Sequence, residues 1–144
     1  MIAPVTAQGD TLAMLPAAIR IARRAQATAR RIFLPEIVAD YIARIVDATH
    51  PGQSQASQGV RFGASPRAAL SLAAASKARA LMHGRPNASF EDVQALALPV
   101  LNHRVLLDYT ARMDGKTSAG IVRAILAEVP VQNLATPRTL KEAA

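Results

Sequence analysis

With 144 residues the chain suffices for one domain with a modest core. It has no cysteine, which excludes disulfides and thiolate metal sites, and its formal net charge of +7 favours anionic partners without choosing among them. About half of the residues are hydrophobic (51%), yet aromatics make up only 3% and tryptophan is absent, so alanine and leucine must do the packing. Such a composition suits closely spaced helices better than a sandwich of β-branched and aromatic strands. Met1-Ile2-Ala3-Pro4 lacks the basic start and apolar run of a signal peptide. No segment approaches the ~18 uninterrupted apolar residues of a membrane span, and the expected location is the cytoplasm.

Residues 1–15 read as a flexible lead-in, in which Asp10 or Thr11 could cap a short turn before Pro16. From Ala17 to Ile32 the pattern is two-sided at about 100° per residue. Ala18, Ile21, Ala22, Ala25, Ala29 and Ile32 fall in one arc, and Arg20, Arg23, Arg24, Arg30 and Arg31 in the opposite one. A second helix is predicted from Leu34-Pro35 to about Ala48, with Ile37, Val38, Tyr41, Ile42, Ile45 and Val46 at helical spacing. Residues 50–62 form a polar loop, long for a compact domain. A third helix is predicted from about Pro66 to His83, stopped by Gly84, with Leu70, Ala73, Ala74, Lys77 and Leu81 on one flank and Ala69, Leu72, Ala80 and their neighbours widening the apolar surface. Ser89 and Asp92 read as a capping box for a fourth helix, which meets Pro99 and is expected to kink or split there. Asp114-Gly115 marks a turn, a last helix covers about Ser118 to Ala127, and the tail 132–144 reads as disordered.

The segment Gly63-Ala64-Ser65-Pro66-Arg67-Ala68 carries the most chemistry. Ser65 is placed to cap the helix, Ala64 leads into the cap, and Pro66 occupies the first helical position, where its missing donor costs nothing. Arg67 then projects from the first turn, where the helix dipole already favours anions. A cation there is poorly explained as a helix stabiliser and better explained as half of a phosphate site, although a solvated arginine beside a cap is the plain alternative.

Further segments follow in order: Gly84-Arg85, Glu91-Asp92-Val93, Leu98-Pro99-Val100-Leu101 with His103-Arg104, and Val129-Pro130-Val131; upstream lie Asp40-Tyr41-Ile42 and Ala48-Thr49. In this order and spacing, residues 33–131 resemble the C-terminal lid of MoxR-family AAA+ ATPases. The resemblance implies an all-α lid spanning residues 16–131, a small bundle of about five helices. It also makes Arg67 the sensor-2 residue that reaches the γ-phosphate of ATP, with Ser65, Pro66 and Ala64 shaping the helix start. One departure is visible, because family members usually carry arginine after Ala-Thr, where this chain has His50. ATP and Mg²⁺ are then cofactors of the complete protein. Its partners would be its own core, neighbouring subunits of a ring, commonly a hexamer, and a client protein served by chaperone-like assembly.

Other motifs do not build a site of their own. Gly115-Lys116-Thr117 looks like the end of a phosphate-binding loop, but the glycine required five residues earlier is Thr110. His50, His83 and His103 lack the i, i+4 spacing of a helical metal pair, so no metal site is expected. No nucleophile elbow or paired carboxylates can be argued, and no catalysis is expected from this chain alone. The arginine face of the first helix has three readings: a solvated surface, a contact with an acidic subunit, or a grip on duplex phosphates. The last supports the rival from another class, a small basic helical nucleic-acid-binding module. A structural or adaptor domain with no ligand is the third option.

Overall fold

The computed structural model describes residues 8–131, with side chains from Met14 onward. Among them are six helices and one two-stranded sheet: α1 Gln8–Arg31, α2 Glu36–Ala48, β1 Val60–Phe62, α3 Pro66–Met82, α4 Phe90–Leu101, β2 Leu106–Leu107, α5 Tyr109–Met113 and α6 Ser118–Glu128. The architecture is the expected helical one. The expected tail at 132–144 lies outside the described residues, as do residues 1–7.

The core is assembled where the periodic stripe of α2 meets α3, α4 and α6. Val38, Tyr41, Ile42, Ile45 and Val46 are buried on α2, against Leu72 of α3, Val93 and Leu101 of α4, and Val122 and Ile125 of α6. Tyr41 packs edge-to-face on Phe90, with ring centroids 5.5 Å apart, an arrangement aromatic quadrupoles favour. Its hydroxyl accepts from Gln94 Nε2 at 3.3 Å.

Some sequence expectations change. The first helix does not begin at Pro16 but runs back to Gln8, so residues 8–15 are helical rather than an aperiodic lead-in. Pro16 lies inside the helix and forfeits one i→i−4 bond. The apolar arc of α1 is also largely uncovered: only Ile32 is buried and Ala29 half-buried, whereas Ile21 is 69% exposed. Helical amphipathicity states which residues share a face, not whether a neighbour covers it.

On α3 the buried face is Ala68, Leu72, Ser76 and Ala80, while Leu70 is 72% exposed. Leu72 and Ala80 of the expected apolar surface are buried while Leu70 of the expected flank is not, because a helix this rich in alanine has little amphipathic contrast. Pro99 lies inside α4 and does not split it, since the helix continues to Leu101.

The sheet and α5 were not anticipated. β1 and β2 are antiparallel, pairing Val60 with Leu107 and Phe62 with Leu106 across an irregular register. Gly59 precedes β1 with φ +87°, and a Cβ there would come within 2.6 Å of Ala111 Cβ, so only glycine fits the close approach. The long loop after α2 is internally bonded. Ser54 Oγ donates to the Ala48 carbonyl at 2.8 Å, and Ser57 Oγ to the Ser54 carbonyl at 2.8 Å. From α6, the Glu128 carboxylate accepts the Gln55 and Ala56 amides at 3.1 and 3.0 Å.

Candidate functional site

Helix α3 starts as its sequence dictates, with Ser65 extended (φ −70°, ψ 164°) and Pro66 in the first turn. Ser65 is nonetheless not a side-chain cap: its hydroxyl accepts no bond from the helix, and its carbonyl instead accepts the Ala68 amide at 2.7 Å. The first turn contains no acidic residue. Among the described residues no carboxylate or hydroxyl side chain bonds to its amides, the Ala68 amide being taken by the Ser65 carbonyl.

Arg67 is exposed in this turn, on the side of α3 opposite the buried Ala68–Leu72–Ser76–Ala80 face. Among the described residues its guanidinium has no hydrogen-bond or ion-pair partner, whereas Arg44, Arg79 and Arg85 are each engaged. Leu70, one turn further on, and Ala74 extend the same exposed face. The donor set suits a phosphate group: a delocalised cation with a fork of donors beside an uncapped helix start. It does not suit Mg²⁺, because the described residues contain no cluster of three or more His, Asp or Glu able to hold a metal ion.

Several of the remaining segments of the ordered series take part in clamps between elements. Arg85 and Asp92 form a bidentate pair that joins the end of α3 to the first turn of α4. Ser89 gives its amide and its hydroxyl to the same carboxylate, at 2.9 and 3.1 Å. Burial pushes the Asp92 carboxyl upward, but the bonds from Arg85 and Ser89 outweigh it and hold the group below the usual carboxylate range. The Arg85 guanidinium is raised in turn, chiefly by its bond to Asp92. Arg44 pairs with Asp40 at 2.8 Å and also donates to the carbonyls of Pro130 (2.6 Å) and Val131 (3.1 Å), which fastens the segment after α6 to α2. His103 accepts from Arg104 Nε at 3.3 Å on the exposed surface.

Gly115-Lys116-Thr117 is a connection, not a phosphate loop. Gly115 has φ +77° after α5, Lys116 Nζ donates to the Gln58 carbonyl at 3.2 Å, and Thr117 caps α6 by accepting the Gly120 amide at 3.0 Å. Arg20, Arg23, Arg24, Arg30 and Arg31 are all exposed on α1. That helix is tied to α3 where Lys77 Nζ donates to the Arg30 carbonyl at 3.1 Å. Between the two helices lies an open groove of about 510 Å³ lined by Gln26, Ala29, Leu70, Ala73, Ala74 and Lys77.

Sequence reasoning passed over Thr49 and Gly63 as individual actors. Thr49 is buried and accepts the Ala64 amide, and Gly63 lies against His50. The pairing of Ala48-Thr49 with Gly63-Ala64 in the ordered series was the available signal, but contacts across an irregular loop have no period.

Residues 52–125, just over half of the chain, match the family model described as the AAA lid domain. Chaperone MoxR1 of Mycobacterium tuberculosis is 32% identical over 133 residues, covering 84% of this chain and 35% of that protein. The uncharacterized protein YeaC of Bacillus subtilis is 37% identical over 100 residues, covering 68% of this chain and 30% of that protein. A crystal structure of a protein from Cytophaga hutchinsonii classed as an ATPase superposes with a TM-score of 0.69 at 31% identity, covering 73% of this chain and 33% of that one. The chain thus spans about a third of the length of the curated relatives it matches. No described helix is long and apolar enough to cross a membrane. With the fold, the ordered segments and these likenesses in agreement, the chain belongs to the AAA lid domain family, as a lid of the MoxR type of AAA+ ATPase.

Proposed function

We propose that this lid closes over ATP held by an AAA+ core and senses the γ-phosphate through Arg67. The observation that carries the reading is the exposed, unengaged Arg67 on the first turn of α3, where no acidic or capping side chain competes for an anion. Arg67 would make a charge-assisted contact to the terminal phosphate, and the amides of the first turn would add the field of the helix start. ATP supplies the phosphoanhydride that is hydrolysed, and the phosphate loop and Mg²⁺-binding acids belong to the core. Arg67 gains its contact in the ATP state and loses it afterwards, so the angle of the lid follows the nucleotide. The exposed Leu70 and Ala74 beside Arg67 suit a face that meets the core. The complete protein would act in the cytoplasm as a ring, commonly a hexamer, that couples this motion to chaperone-like assembly of a client.

The test is Arg67→Ala in the complete ATPase. Loss of turnover together with weaker ATP affinity is the expected result. Unchanged turnover and affinity would end the sensor-2 assignment.

Nucleic-acid binding draws support from a separate observation, the five exposed arginines of α1, none of which has an ion-pair partner among the described residues. Binding of duplex DNA that weakens steeply with salt and is abolished by charge reversal at Arg23 and Arg24, while Arg67→Ala leaves it intact, would favour that reading.

A further inference from the structure

Thr49, the residue that closes α2, is fully buried, and its hydroxyl makes two bonds at once. Oγ1 donates to the Val46 carbonyl at 2.6 Å, which directs its lone pairs at the Ala64 amide 2.8 Å away. Ala64 is itself fully buried and stands three residues before Arg67. At the adjacent position of this seam, His50 lies against Gly63. A Cβ on Gly63 would sit 2.8 Å from His50 Cα and 2.9 Å from its amide nitrogen, so the two backbones touch. The end of α2 and the approach to α3 are therefore joined at two successive positions, one by a hydrogen bond and one by contact.

This seam matters because α3 lacks a side-chain device of its own for fixing its start. Ser65 makes no cap bond, the first turn holds no acidic residue, and Pro66 restricts φ without anchoring the turn to anything else. The point in space from which Arg67 projects is then set from outside the helix. The anchor is stiff on its own side, since α2 is packed into the core and fastened by Arg44 to the carbonyls of Pro130 and Val131.

We propose that Thr49 is a positioning residue for Arg67, acting through the Ala64 amide, with the His50–Gly63 contact as the steric half of the same device. The inference rests on the reading of Arg67 as a phosphate contact. It predicts a specific chemical requirement at position 49. The residue must donate and accept through one atom, which threonine and serine do. Valine has the shape of threonine but neither capacity.

The experiment compares Thr49→Val, Thr49→Ser, Arg67→Ala and the double variant Thr49→Val/Arg67→Ala in the complete ATPase, measuring kcat and KM for ATP beside thermal melting. Thr49→Val is expected to lower kcat/KM roughly tenfold, the scale of a small misplacement of a contacting group. Thr49→Ser should keep the value within about twofold of the parent. In the Arg67→Ala background Thr49→Val should cost nothing further, because the residue it positions is gone. An equal loss in both backgrounds, a parent-like folded Thr49→Val, or a Thr49→Ser as impaired as the valine variant would each overturn the proposal. Should Thr49→Val not fold, the serine variant decides through the Ala64 amide resonance. A parent-like resonance with impaired kcat/KM overturns the positioning role, and a parent-like resonance with parent-like kinetics supports it. Parent-like kinetics of Arg67→Ala alone would instead remove the phosphate reading, an outcome distinct from the failure of Thr49.

Discussion

Arg85 holds Asp92 with both terminal nitrogens, Nη2 to Oδ1 at 2.6 Å and Nη1 to Oδ2 at 2.9 Å, so one buried carboxylate ties the end of α3 to the start of α4. Arg79 Nε adds a third cationic approach at 3.3 Å. A carboxylate that is 1% exposed could not stay charged without these partners, and their geometry repays its burial. Asp92→Asn removes the charge and leaves two arginines facing each other. It is expected to destabilise the domain by about 2 kcal/mol, below the roughly 3–5 of fully buried pairs because both arginines stay more than a third exposed. Chemical denaturation at neutral pH measures this directly.

The same carboxylate fixes the sign of an acid dependence. Its folded pKa is depressed, so the native state binds fewer protons than the unfolded chain between the two pKa values. The stability it contributes is complete above the unfolded carboxylate value of about 4 and is lost as pH falls through the folded value. Denaturation midpoints from pH 6 down to 2.5 should fall more steeply in the parent than in Asp92→Asn. Parallel curves would show that this carboxylate has no part in the acid limb.

Gly63 is required by space rather than by backbone angle. The φ of this glycine is not positive, yet an added methyl group would meet His50 backbone atoms at 2.8–2.9 Å. Backbone cannot swing aside as a flexible side chain does, so Gly63→Ala should cost about 1–3 kcal/mol, the scale of overpacking. The Ala64 amide, bonded to Thr49, should lose hydrogen-exchange protection in the same variant.

Glu128 holds the loop after α2 through two amides. Glu128→Ala is expected to cost about 1–2 kcal/mol, as expected for charge-assisted bonds at an exposed site. Exchange at Gln55 and Ala56 should speed up while core amides such as that of Ile45 keep their protection. Uniform acceleration would mean that the carboxylate supports the whole fold.

Arg67 separates stability from function. With no intramolecular partner among the described residues, Arg67→Ala should leave the stability of this chain within about 0.5 kcal/mol of the parent. A larger loss by thermal melting would show that the guanidinium has a structural contact after all.

Legibility in the sequence followed periodicity. Helix α2 was readable because Ile37, Val38, Tyr41, Ile42, Ile45 and Val46 recur at helical spacing, and all but Ile37, which stays exposed at the edge of the stripe, are found buried. The start of α3 was readable because Pro66 stands where its fixed φ suits a first turn, but the capping role of Ser65 was not, since its hydroxyl makes no bond to the helix. The Ser89–Asp92 capping box was readable and is present, whereas the stronger partner of Asp92, Arg85, lies seven residues upstream and was not paired with it. The face of α3 was only partly legible, with Leu72 and Ala80 of the expected apolar surface buried and Leu70 exposed, because alanines do not distinguish inside from outside.

Composition and local chemistry thus determined that the chain is helical, where most helices lie, and that an arginine stands at an anion-favouring helix start. Those properties depend on residues within a turn or two of one another, and such couplings are written in spacing. Tertiary structure alone decided that the apolar arc of α1 stays largely uncovered, that Val60 pairs with Leu107, and that Thr49 bonds to the Ala64 amide beside the contact of Gly63 with His50. Those outcomes depend on which backbone groups remain unpaired after the helices pack, and no short-range pattern in the chain encodes that.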